Sequence, residues 1–263
     1  MFPNRHSHFF FASKTRTILS LVLLGGLVAL AFGAIQASVA QAQSDKPIVF
    51  VDETDAATGI QYGASYADGQ LNGGVLIDTT SVEGIRAYIS FNLQNTHELL
   101  KTDRKLLYVH VVFNHPLSQD EFEQLVKAYA LKPYAYSIRA IAPDSTRATI
   151  YGGPADGKLI PTDLLDMVSQ DLQQRDGSTI KGWVEVSTIV QSADLVSLLS
   201  NPMVYTIDVT ETLLRNAITF EKLQAVEVED TVVQMYLKGQ AQIQISRPPL
   251  YWFLEEYGLV TSN

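Results

Sequence analysis

The chain predicts an α+β fold, a β-sheet with helices packed on one face in a split β-α-β sandwich. Three observations lead there. Between Lys105 and Thr210 a helical pattern twice separates two apolar, β-branched runs: LLYVHVVF, SQDEFEQLVKAYAL and PYAYSIRAI, then GWVEVSTIV, SADLVSLLS and MVYTIDV. The strand runs alternate with period two, and the helical runs space apolar residues three and four apart. Stop and cap residues punctuate both units, Pro116-Leu117-Ser118 before the first helix and Asn201-Pro202 after the second.

Of the 263 residues 46% are hydrophobic and 18% charged, so a packed core is expected rather than global disorder. The formal charge is -9. The first 42 residues contain Arg5, Lys14 and Arg16 and no acid, so the remainder carries 16 basic against 28 acidic residues, a charge of -12. Such a surface repels a phosphate backbone, which argues against a nucleic-acid partner. There is no cysteine, hence no disulfide and no thiolate chemistry. No cofactor motif occurs: Gly152-Gly153-Pro154 lacks the flanking glycines and the Lys-Ser/Thr pair of a phosphate loop.

Residues 1–42 read as an export signal. Lys14 and Arg16 precede the uncharged run Thr17–Ile35, and Ala40-Gln41-Ala42 is a small-x-small cleavage pattern that sets a mature start near Gln43. The run is 19 residues long, near the lower limit for a membrane span, so an uncleaved anchor is the alternative. Either way the remainder is expected outside the cytoplasmic membrane: extracellular, periplasmic or associated with the cell envelope. Membrane contact is expected only through this segment, if it is retained.

Residues 43–104 read as a β-rich region. Pro47–Val51, Val75–Ile77 and Ile85–Leu93 are strand candidates, the last alternating as Ile85, Ala87, Ile89, Phe91 and Leu93. Glycines at 59, 63, 69, 73 and 74 suggest tight turns between Asp52 and Gly74. Asp52, Glu53, Asp55 and Asp78 lack calcium-loop spacing and read as solvated loop acids; no metal site is expected.

In residues 105–210 the first strand places Leu107, Val109, Val111 and Phe113 on one side, with Tyr108, His110 and Val112 on the other. The wholly apolar set suits the helix-covered face and leaves Tyr108 and His110 on the open one. Ser118 and Glu121 form a capping box, and Phe122, Leu125, Val126 and Tyr129 stripe the helix they open. A long helical insertion, 142–181, follows. Thr162 is the expected cap of its helix, Leu164, Leu165, Val168 and Leu172 its stripe, and Asp176-Gly177 its end. In the second unit Trp183, Glu185 and Ser187 alternate with Val184, Val186 and Thr188, and Ser192 caps a helix with Leu195, Leu198 and Leu199 inward.

Residues 211–263 form a C-terminal extension. A short helix is expected from Glu211 to Ala217, an edge strand at Val226–Glu229, alternation at Gln240–Ile245, and a terminal helix over Leu250–Tyr257. On the open sheet face Tyr108 and Trp183, joined by Tyr136, are rigid anchors that either a partner or another region of the chain would cover.

The two units resemble the inhibitor I9 family, the propeptide-like domain of subtilisin-type serine proteases. The likeness rests on Val109–Phe113, on Pro116-Leu117-Ser118 with Glu121-Phe122, and on Gly182-Trp183-Val184-Glu185-Val186. It continues through Asp194-Leu195, Leu198, Asn201-Pro202-Met203-Val204 and Ile207. The resemblance implies a ferredoxin-like sandwich, with β-rich flanking regions added here, that chaperones or inhibits a protease. It implies an open face around Tyr108, His110, Tyr136, Trp183 and Glu185, and a tail entering the protease cleft from Asp208-Val209-Thr210. The long insertion and the extension past Thr210 depart from the family, and no Asp, His and Ser protease blocks follow. The expected function is an exported, non-catalytic binding protein whose partner is a protein, an extracellular serine protease by resemblance. The alternative is a structural or assembly component of the cell envelope. A hydrolase using Glu185 and His110 has no nucleophile motif or metal-ligand spacing behind it.

Overall fold

Two open sheets and several helices make a mixed α+β architecture, seen in a computed structural model that describes residues 47–68, 70–225, 233 and 243–261. Ile48–Asn263 form one compact unit. The export signal expected at 1–42 and the strand expected at Val226–Glu229 lie outside the described residues.

The smaller sheet is a meander of β1 (Ile48–Thr54), β2 (Gln61–Ala67) and β3 (Gln70–Leu76), joined in parallel by β9 (Ile243–Ser246). Gly63, Gly73 and Gly74 thus lie within strands rather than in turns. Gly73 has a packing reason: a Cβ there would come within 2.6 Å of Leu214 Cδ1. The alternating run at Ile85–Leu93 is not a strand. It belongs to α1 (Val82–Leu100), whose buried residues Ile85, Tyr88, Phe91, Asn92, Thr96 and Leu99 follow the helical period. The alternating set shares only Ile85 and Phe91 with that stripe, which Tyr88 and Asn92 complete; the Ser81 side chain, accepting from Gly84 N at 3.0 Å, starts the helix.

The larger sheet has the order β6-β5-β7-β4-β8, every pair antiparallel. Its strands are β4 (Leu106–Leu117), β5 (Lys132–Ile141), β6 (Arg147–Gly152), β7 (Thr179–Gln191) and β8 (Val204–Asp208). Both predicted units therefore share one sheet, with β4 and β7 adjacent. One face carries α2 (Gln119–Ala128) and α4 (Ser192–Leu199). Leu107, Val109, Val111 and Phe113 meet Phe122, Leu125, Leu195 and Leu198 there. In the insertion, β6 forms a hairpin with β5, and α3 (Leu164–Arg175) packs Leu164 and Leu165 on the same cluster. The capping box at Ser118 and Glu121 is present. Thr162 and Ser192 do not cap: the residue before α3 is Asp163, with φ 62°, and Ser192 is already inside α4.

The other face is covered as well. Val112 and Val184 pack with Ile85, Tyr88 and Phe91 of α1, and with Leu250, Tyr251 and Leu254 of α7 (Leu250–Glu256). The chain leaves β8 directly into α5 (Thr210–Ala217), followed by α6 (Phe220–Ala225). Both flanking regions that the sequence separates from 105–210 thus supply the lid of its sheet.

Candidate functional site

Sheet register assembles a row of polar side chains on the second face. His110 in β4 lies opposite Asp208 in β8 and Ser187 in β7, and Ser187 lies opposite Ala135 in β5. One step along, Glu185 is opposite Val112 on one side and Ser137 on the other. Because alternate residues of a strand share a face, Glu185 and Ser187 point the same way.

The contacts form a continuous network. His110 Nδ1 is 2.9 Å from Ser187 Oγ, and its Nε2 is 3.7 Å from Glu185 Oε2. Arg247, in the segment between β9 and α7, donates to Ser187 Oγ and to Asp208 Oδ2, both at 3.4 Å, and lies 3.9 Å from Glu211. Tyr88 of α1 donates to Asp208 Oδ2 at 2.7 Å. Glu211 accepts from Tyr134 at 2.5 Å and from Arg215 Nη2 at 2.9 Å, while Arg215 stacks over the half-buried Tyr108 ring at 3.9 Å.

Glu185 and Asp208 each also hold a helix start. Glu185 Oε1 accepts from Tyr251 N in the first turn of α7 at 2.8 Å, and Asp208 Oδ1 from Thr210 N at the start of α5 at 2.7 Å. Burial alone would raise both carboxyls, but their partners overcome it and both lie below the usual carboxylate range. For Glu185 the partners are His110, the Tyr251 amide and Ser137; for Asp208 they are Arg247, His110 and Thr210. Burial, then the Asp208 charge, drives the Tyr88 phenol well above its ordinary value. Burial would lower Arg247, yet Asp208, Tyr134, Tyr88 and Glu211 raise it.

A cleft of about 250 Å³ reaches this network between the β5-β6-β7 side of the sheet and the 245–249 segment. His110, Glu185, Ser187 and Arg247 line its polar side, and Tyr151, 71% exposed, stands at its rim. Among the described residues no group of three or more His, Asp or Glu is arranged to hold a metal ion.

The predicted site residues divide sharply. His110, Glu185 and Asp208 come together. Val209 and Thr210 are buried beside them, Val209 N donating to Asn92 Oδ1 at 2.9 Å. They are not an exposed tail, because α1 and α5 close over the end of β8. Trp183 and Tyr136 lie on the opposite face. Trp183 stacks on Phe122 with ring centroids 5.2 Å apart, and Tyr136 meets both rings edge-on. For Trp183 the reason is a β-bulge. Glu185 pairs with Val112 and Ser137, the next partner on β7 is Trp183, and Val184 is left unpaired, so the alternation reverses. A second irregularity, between Pro133 and Ala135, turns Tyr134 toward Glu211. Arg247, Tyr88, Tyr134 and Glu211 escape a sequence reading, and Ser187 enters it only through its alternation with Glu185. An arginine just before Pro248-Pro249 in a charge-poor segment is the one local signal. Comparison with protein-family models, curated proteins and solved structures gives no match for this chain.

Proposed function

We propose that the chain is an exported, non-catalytic binding protein that meets a protein partner at the cleft beside Arg247 rather than on the broad sheet face. The strand order β8-β4-β7-β5, with β6 added at the edge, supports reading the larger sheet as a ferredoxin-like sandwich of the propeptide type. The observation that carries the proposal is the closure of the second face by α1, α5 and α7, which leaves the cleft as the route to its polar residues. Support for binding over turnover comes from the work the acids already do: Glu185 and Asp208 hold helix starts, and Glu211 holds Arg215 and Tyr134.

A subtilisin-like protease as partner would have to engage a surface other than the one the I9 resemblance implies. The test is capture of partners from the extracellular fraction by the wild-type chain and by Ala135→Leu. Ala135 lines the cleft opposite Ser187 and makes no polar side-chain contact. Loss of a captured protein in the variant supports the proposal; equal capture by both chains overturns it. Inhibition of a subtilisin panel by the wild type, absent in Ala135→Leu, would identify the partner class.

A second reading, a structural component of the cell envelope, is favoured by the covering of the second sheet face by the chain's own α1 and α7. It predicts weak acrylamide quenching of Trp183 in a Trp252→Phe variant and no cleft-dependent capture.

A further inference from the structure

We propose that the cleft beside Arg247 recognises a carboxylate group through the Arg247 guanidinium. The inference rests on the reading of this cleft as the binding site. Two hydrogen-bond donors meet on its polar side, the Arg247 guanidinium and the Ser187 hydroxyl, 3.4 Å apart, with His110 Nδ1 2.9 Å from Ser187 and the Glu185 carboxylate also on the lining. Arginine's planar fork matches a carboxylate in two-point contact.

Arg247 is positioned but not closed. Its contacts with Asp208, Ser187 and Glu211 run from 3.4 to 3.9 Å. Charge-assisted N–H···O bonds are usually about 2.7–2.9 Å. Asp208 and Glu211 do not line the cleft; they hold the guanidinium from behind.

His110 is faced by Glu185 and Ser187 from β7, by Asp208 from β8 and by Arg247 from the segment before α7, so its two ring nitrogens serve the network and position Ser187. The cleft's about 250 Å³ admits a carboxyl group with a few attached heavy atoms, and Ala135, Tyr151, Pro248 and Pro249 give those atoms apolar walls.

The carboxyl can belong to a free small acid or to the C-terminus of a peptide, and the experiment separates them. The full chain is titrated by calorimetry with N-acetylalanine, its methylamide, and one peptide ending in a free carboxylate or a carboxamide. The expected result is saturable binding of the carboxylate forms alone. Preference for N-acetylalanine supports a small acid, and preference for the peptide supports a chain terminus. Ala135→Leu should abolish binding without touching the buried charges, and Arg247→Lys should weaken it about tenfold or more by losing the fork. No saturable binding by the folded wild type, equal binding of the amides, or unchanged binding in Ala135→Leu overturns the inference. Cleft-dependent capture of a protein together with silent probes would sink the carboxylate alone and leave the binding reading standing.

Discussion

The two faces of the larger sheet are closed by different physics. On the α2-α4 face, Trp183, Phe122 and Tyr136 interlock with aliphatic side chains, and the closure is apolar contact. On the α1-α7 face, a smaller apolar patch around Val112 and Val184 adjoins a network of Glu185, His110, Ser187, Asp208 and Arg247. Apolar contact is non-directional and tolerates repacking, whereas a buried polar network depends on every member being satisfied. The first face is therefore suited to hold the fold, and the second to hold a specific arrangement of side chains.

That comparison is broken most directly from the apolar side. Trp183→Ala should cost about 3–5 kcal/mol in urea unfolding, by lost burial plus a cavity. Trp183→Phe should cost much less, because the buried indole N–H has no hydrogen-bond partner to lose. A Trp183→Ala cost no larger than that of a surface change would place the load on the other face.

The bulge that separates the faces comes next. Gly182 has φ 146°, and a Cβ there would lie 2.1 Å from the Leu117 carbonyl oxygen, a backbone atom that no side-chain motion relieves. Gly182→Ala should cost about 3 kcal/mol and shift the β4-β7 pairing. Unaltered amide exchange along Trp183–Glu185 would contradict that.

On the polar face Glu185→Gln keeps an acceptor for Tyr251 N but removes the charge, so about 2 kcal/mol should be lost. The loss should appear first as faster hydrogen exchange in α7. Acid should discriminate between the faces too. Glu185 and Asp208 titrate below the usual range when folded, so the unfolded chain binds more protons at low pH. Their stabilisation is complete above the ordinary carboxylate pKa of about 4 and is lost as pH falls through the depressed folded values. Glu185→Gln with Asp208→Asn should flatten this limb of the stability profile, while Trp183→Phe should leave its shape unchanged. The smallest effect belongs to the capping box: Ser118→Ala should cost about 1 kcal/mol, read from the same unfolding curves.

Much of the helix-covered face was legible. The run Leu107, Val109, Val111, Phe113 and the stripe Phe122, Leu125 each carry their period within a few residues, and Ser118 with Glu121 marks a helix start locally. The second face was legible only in fragments. His110 could be assigned to it from β4 alone, but Trp183 could not be separated from Glu185. The bulge depends on how β7 pairs with both β4 and β5. In α1, an alternation over Ile85–Leu93 that shares only Ile85 and Phe91 with the buried stripe hid the helix. Its choice depends on Tyr88 and Asn92 finding Asp208 and Val209, more than a hundred residues away.

Local pattern, then, determined which segments pair and pack around the apolar side of the larger sheet. Side-chain period and capping chemistry act within one turn or one strand, so a linear reading can detect them. Tertiary structure alone decided that α1 and α7 close the remaining side, that a bulge turns Trp183 away from Glu185, and that Arg247 arrives beside Ser187 and Asp208. Those outcomes depend on pairing register and on contacts between distant segments, whose free energy exists only once the whole unit has folded.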